Sequence, residues 1–191
     1  MFPPDVFRPT LTRLVALLRR HGVRFHLTGG ITSVAYGEPR MTQDIDVVVD
    51  NAPLARAVEA FLPAVVEAGF LLDATSARRA IAEKSMFQLF DMNEAIKVDV
   101  YPRELVPGEL DRSALIEVLE GMPLPVASRA DAAVSKLVWA SKGSFKSRRD
   151  LRQIVRRMSS VDRGEVERLA QVLGLESLLA EILAEPDELS G

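Results

Sequence analysis

The stretch Asp44-Ile45-Asp46-Val47-Val48-Val49-Asp50 decides how this 191-residue chain is read. Side chains alternate across a strand, so Ile45, Val47 and Val49 enter a core while Asp44 and Asp46 point together to the opposite face. Two carboxylates one pleat apart supply the hard oxygen ligands that Mg²⁺ or Mn²⁺ takes. Their mutual repulsion is costly unless a cation or a proton relieves it. Alone the pair carries little weight: twelve aspartates in the chain give about 0.75 such pairs by chance.

A second acidic strand changes the balance. In Ile96-Lys97-Val98-Asp99-Val100-Tyr101 the residues Ile96, Val98 and Val100 share one face, and Lys97, Asp99 and Tyr101 share the other. If the two strands lie side by side with apolar faces aligned, Asp99 joins Asp44 and Asp46. Three such carboxylates suit two divalent ions about 4 Å apart, an arrangement used for in-line phosphoryl chemistry. Upstream, Leu27-Thr28-Gly29-Gly30-Ile31-Thr32 sets two glycines between a short strand, Val23 to Thr28, and a helix that stops at Gly37. Glycine permits positive φ and a close backbone approach to phosphate, and a helix N-terminus favours negative charge. Between this turn and the acidic strand lie Arg40 and Thr42. An arginine there pairs either with triphosphate oxygens or with the carboxylates themselves.

The rest of the chain follows the same periodicities. A helix is expected over Thr10 to Arg20, another over Pro53 to Ala68, and strands over Gly69 to Leu72, Ser85 to Asp91 and Ala95 to Tyr101. Strand signals fade beyond Pro107. Helices are expected over Ser128 to Ala140, Ser147 to Met158, Gly164 to Val172 and Glu176 to Leu183. The Pro-containing stretch Gly121 to Ala127 therefore divides an α/β core, residues 1–120, from a helical C-terminal region, residues 121–191. Trp139 reads as core packing among Val134, Leu137 and Val138, Asp150 as a partner for neighbouring arginines, and His26, on the first strand, as a hydrogen-bonded structural histidine.

Composition removes several chemistries. There is no cysteine, so no disulfide scaffold, thiolate metal site or Cys nucleophile exists, and two histidines supply no zinc centre. The longest uncharged stretch runs from Phe25 to Gly37, too short for a membrane span of roughly 20 residues. Charges interrupt the N-terminus where a secretory signal would need an apolar run, which makes the cytoplasm the default location. The net charge of −3 hides an uneven distribution. From Lys136 to Arg157 eight basic residues face only Asp150, so this segment is +7 and the remainder sums to −10. Such a field favours a polyanion, nucleotide or RNA.

Gly-Gly, a short helix, then R-x-T-x-D-I-D and a third aspartate on a later strand resemble the nucleotidyltransferase superfamily with the DNA-polymerase-beta-like fold. The closest likeness is to its AbiEii-type branch of small bacterial proteins, many of them toxins of toxin–antitoxin pairs. The resemblance implies a mixed, twisted sheet followed by helices, and transfer of a nucleoside monophosphate from an NTP to an acceptor hydroxyl. It implies Asp44 and Asp46 on two Mg²⁺ (or Mn²⁺) ions and Asp99 on one, with all three catalytic. Gly29 and Gly30 would cradle phosphate, with Arg40 and Thr42 alongside. Lys136 falls where related proteins carry a nucleotide-contacting lysine, and Arg148-Arg149-Asp150-Leu151 resembles their basic-Asp element, which brings in Arg149. The usual turn in the superfamily is Gly-Ser; here Gly30 lacks the hydroxyl, with Thr32 and Ser33 nearby as substitutes. The +7 segment favours RNA, tRNA in particular, over a cationic acceptor, and a toxin role implies an antitoxin partner. The rival expectations are a noncatalytic nucleotide- or RNA-binding module, and an interaction protein whose acidic C-terminal helices dock a partner.

Overall fold

The computed structural model describes residues 4–36 and 43–186; Arg40 and Thr42 lie outside them. Helix α1 (Arg8–Arg20) carries a proline in its first turn and buries Leu11, Leu14, Val15 and Leu18. Strand β1 (Phe25–Thr28) is buried along its whole length, and α2 (Gly29–Tyr36) begins at the next residue. Strand β2 (Asp44–Val49) leads to α3 (Asn51–Glu67), where the Asp50 carboxylate accepts the Ala52 N–H at 3.1 Å and caps the helix. Then come β3 (Phe70–Leu71), α4 (Ala74–Glu83), β4 (Phe87–Asp91) and β5 (Ile96–Tyr101). A further hairpin, β6 (Ala114–Leu119) and β7 (Met122–Val126), precedes α5 (Arg129–Ser141), α6 (Phe145–Arg156), α7 (Ser160–Val172) and α8 (Glu176–Ala184).

The seven strands form one mixed sheet in the order β3-β4-β5-β2-β1-β7-β6. β2 runs antiparallel to β1 and parallel to β5, so the two acidic strands are direct neighbours near the middle of the sheet. Ile45 and Val47 of β2 and Val98 of β5 are fully buried on the apolar face. Helix α5 packs against α2, α6 and α7, which brings the C-terminal helices to the end of the sheet where α2 begins.

Three elements differ from the sequence reading. β6 and β7 exist where strand signals faded, and the stretch expected to separate two regions is β7, paired in parallel with β1 at Leu27↔Val126. Pro123 and Pro125 obscure this strand, because proline cannot donate to a ladder; at alternate positions, however, both missing donors fall on one side. Helix α4 was not anticipated. Its buried face is Ala77, Ala80 and Ile81, too small to stand out as an apolar stripe, and its start is fixed by Asp73, which accepts the Thr75 and Ser76 N–H groups at 3.0 Å. No described helix is long and apolar enough to cross a membrane.

Candidate functional site

The register places Asp46 directly opposite Asp99, and Asp44 opposite Lys97. Alternation puts Asp44, Asp46, Lys97, Asp99 and Tyr101 on one face of the sheet. Burial, reinforced by Asp44 and Asp99, pushes the Asp46 carboxyl above the ordinary aspartate value, although the Gly30 N–H and the Lys136 charge work against the rise. Lys97 Nζ donates to Asp99 Oδ2 at 2.9 Å and lies 3.5 Å from Asp44 Oδ2. Its hydrogen bond to Asp99 holds the ammonium above the usual lysine value. Gln88 of β4, in register with Asp99, donates to the other oxygen, Oδ1, at 2.9 Å. Tyr101 Oη lies 3.4 Å from Asp46 Oδ1, and burial together with the Asp46 charge keeps this phenol protonated far above its ordinary range.

The glycine turn is built against the same carboxylate. Gly29 has φ +64°, and a Cβ there would lie 1.8 Å from Asp46 Oδ2. Only glycine meets both conditions. The Gly30 N–H bonds Asp46, so in this state the turn's donor is directed at the carboxylate. Thr32 and Ser33 do not replace a missing hydroxyl at the turn. Both are buried and donate back to the Gly29 carbonyl, at 2.9 and 3.2 Å.

Lys136 is not a helix-surface charge. It is 7% exposed, and its Nζ donates to the Gly29 carbonyl at 3.1 Å and pairs with Asp150 at 3.3 Å. Asp150 in turn accepts from Ser33 Oγ at 3.1 Å. Asp150 thus belongs to a buried Lys136–Asp150–Ser33 network that ties α5 and α6 to the start of α2. Arg149 sits on the exposed face of α6 and does not line the cleft.

Between the sheet and the helices lies a cleft of about 320 Å³, of the size that small-molecule sites occupy. Asp44, Asp46, Gly29, Gly30, Lys136 and Asp150 line it, joined by Tyr101, Trp139 and Lys146. Trp139 is therefore not core: it is half-buried in the cleft wall, edge-on to Tyr101 at 6.4 Å, with Lys142 Nζ 4.8 Å above its ring. His26 is structural, fully buried with Nδ1 2.9 Å from Ser113 Oγ. Gln88 went unnoticed in the sequence and is reached only through strand register, whereas Lys146 was counted in the basic segment without being singled out.

The donor set fits a hard divalent ion at Asp44 and Asp46, whose repulsion a cation would relieve. The three-carboxylate set expected for two ions is not assembled in the same way, since both oxygens of Asp99 are engaged by side chains. Among the described residues no three His, Cys, Asp or Glu side chains are grouped so as to hold a metal ion.

The basic segment is partly neutralised within the chain. Arg148 pairs with Glu181 and Glu185, and Arg152 with Glu185, so Glu181 of α8 and Glu185 just after that helix are held by α6.

A mixed sheet with two adjacent acidic strands facing a glycine turn and a helical wall defines a nucleotidyltransferase fold. The same fold is found in the antibiotic-resistance factor ANT(2'')-Ia, with a TM-score of 0.58 at 15% identity, covering 93% of this chain and 96% of that one. Weaker likenesses are to the lincomycin-bound lincosamide antibiotic adenylyltransferase LnuA (TM-score 0.46, 14% identity, 85% and 95% covered) and an antigenic nucleotidyltransferase-like protein from Paracoccidioides brasiliensis (0.48, 15%, 92% and 91%). No curated protein sequence matches the chain. Residues 14–173 match the family described as nucleotidyl transferase AbiEii toxin, Type IV TA system. The chain belongs to that family and is a nucleotidyltransferase.

Proposed function

We propose that the protein transfers a nucleoside monophosphate from an NTP to an acceptor hydroxyl, with Mg²⁺ or Mn²⁺ at Asp44 and Asp46. The acceptor oxygen bonds to the α-phosphorus, the bond from that phosphorus to pyrophosphate breaks, and the hydroxyl proton passes to Asp99 and then to solvent. A bound divalent ion would neutralise phosphate charge and lower the pKa of the attacking hydroxyl. The chain's own residues supply position and charge. Gly29 and Gly30 let the backbone approach the phosphates, and Lys136 adds a buried positive charge fixed by Asp150. Arg40 and Thr42 are assigned to the triphosphate on sequence alone, and Arg149 becomes a secondary candidate because it lies outside the cleft lining. The observation that carries this reading is Asp44 and Asp46 lining the cleft opposite Lys136, with Asp99 in register behind Asp46 on the neighbouring strand.

RNA, tRNA in particular, is the acceptor we favour, and the toxin of a toxin–antitoxin pair is the role. The basic segment supports the first, reduced by the ion pairs of Arg148 and Arg152; the family description supports the second. The test is incubation with α-labelled NTPs and Mg²⁺, with and without RNA, comparing the wild type with Asp46→Ala. RNA-dependent labelling lost in the variant is expected. Labelling that ignores the substitution would remove Asp46 from the reaction, and labelling that depends on a cationic small molecule instead would remove RNA as acceptor.

A further inference from the structure

The acidic face already holds a cation of its own. Lys97 leaves β5 on the same face as Asp99, and its register partner on β2 is Asp44. Its Nζ bonds Asp99 Oδ2 at 2.9 Å and stands 3.5 Å from Asp44 Oδ2, bridging the two strands where they carry their carboxylates. Gln88 takes Asp99 Oδ1 at 2.9 Å, so the third aspartate has a protein donor on each oxygen. Charge points the same way. Three carboxylates and one ammonium leave −2 on this face, which one divalent ion neutralises, while Lys136 is balanced separately by Asp150.

We propose that this chain works with a single divalent ion, held by Asp44 and Asp46, and that the Lys97 ammonium takes the place of a second ion beside Asp99. Lys97 is then a positioning residue: it fixes Asp99 and supplies on a tether the positive charge that another metal would bring. An ammonium offers no open coordination position, so it fills the charge requirement of that subsite without binding substrate oxygens as a metal does. The inference rests on Asp44 and Asp46 being the metal pair.

The experiment is Mn²⁺ titration of the full chain, by calorimetry and by the electron paramagnetic resonance of the free ion, with Mn²⁺ alone as the probe. The wild type is expected to bind one Mn²⁺ per chain, and Lys97→Arg likewise. Lys97→Met should gain a second site, or tighten Mn²⁺ binding about tenfold, because a repelling charge a few ångströms away is removed. Asp99→Asn in that background should abolish the gain. Lys97 is 40% exposed, so its loss empties no core, and Lys97→Gln serves if the methionine variant misfolds. Two Mn²⁺ per wild-type chain, or a Lys97→Met titration equal to wild type, would overturn the proposal while leaving the metal pair standing. Stoichiometric binding unchanged by Asp46→Asn, or no binding at all, would overturn the metal pair and this inference with it.

Discussion

Asp46→Asn should make the protein more stable while removing its activity. Asparagine keeps the shape and an acceptor for the Gly30 N–H but deletes a charge that is partly buried among Asp44 and Asp99. Asp99 lies across a strand spacing of about 4.8 Å and Asp44 two residues along the same strand, about 6.5 Å, so each of these carboxylates is on the order of 5–7 Å away. At an effective dielectric near 20 each repulsion is about 2–3 kcal/mol. Lys97 and Lys136 return most of that, and a net gain of about 1–2 kcal/mol remains, within the range of single stabilising changes. For a chain of this length it corresponds to a Tm rise of about 2–8 °C. The pH dependence follows from the raised Asp46 value: the folded state holds this proton more tightly than the unfolded state does. Wild-type stability therefore falls as pH rises through the window above 3.8, the ordinary aspartate value. The advantage of Asp46→Asn should vanish below that window and be complete at neutral pH. Mg²⁺ at ten times its dissociation constant would return about 1.4 kcal/mol to the wild type and little to the variant. Thermal unfolding followed by circular dichroism from pH 3.5 to 8, with and without Mg²⁺, measures all of this. A variant no more stable than wild type in metal-free neutral buffer, or stabilised equally by Mg²⁺, would refute the electrostatic reasoning.

Gly29→Ala should abolish label transfer and destabilise by about 2 kcal/mol or more in urea unfolding, because its Cβ meets the Asp46 carboxylate and alanine resists positive φ; an active variant of wild-type stability would show the turn to be dispensable. Trp139 is the only tryptophan in the chain and stands in the cleft wall, so NTP binding should change its emission; unaltered fluorescence while calorimetry records binding would place the nucleotide elsewhere. Asp91→Ala should lower stability by about 2–3 kcal/mol, since this fully buried carboxylate accepts from Thr10 at 2.6 Å and from Arg13. Burial alone would raise the Asp91 value, but these bonds and the Asn93 N–H outweigh it, so its contribution should disappear as pH drops below 3.8.

How much of this was legible in the sequence depended on whether a single periodicity governed an element. β2 and β5 were legible because strict alternation fixes both the buried and the polar face, and one register then brings Asp46 to Asp99. β7 was hidden by two prolines and α4 by a face of alanines; in each case the pairing partner or the packing neighbour, not local pattern, settles the element. Trp139 was misjudged for a related reason. Ala130 to Leu137 of α5 are buried on every side, so the apolar run gives no hint that its last turn emerges into the cleft.

The site shows the same division more sharply. The glycine turn and the acidic strand were read as independent motifs, one for phosphate and one for metal. In space they are a single construction: the Gly29 backbone occupies room that any Cβ would take from Asp46, and the Gly30 N–H bonds the carboxylate. Glycine is thus required at position 29 by the aspartate as much as by any phosphate. The pairings of Lys136 with Asp150, 14 positions apart, and of Arg148 with Glu185, 37 apart, join different helices through the tertiary fold, so neither follows from local spacing. Charge runs accordingly overstate a surface field: Asp150 is already counted in the +7, and the segment further loses Arg148 and Arg152 to Glu181 and Glu185. The proposed RNA would therefore either use the remaining cations or displace Glu181 and Glu185 from α6.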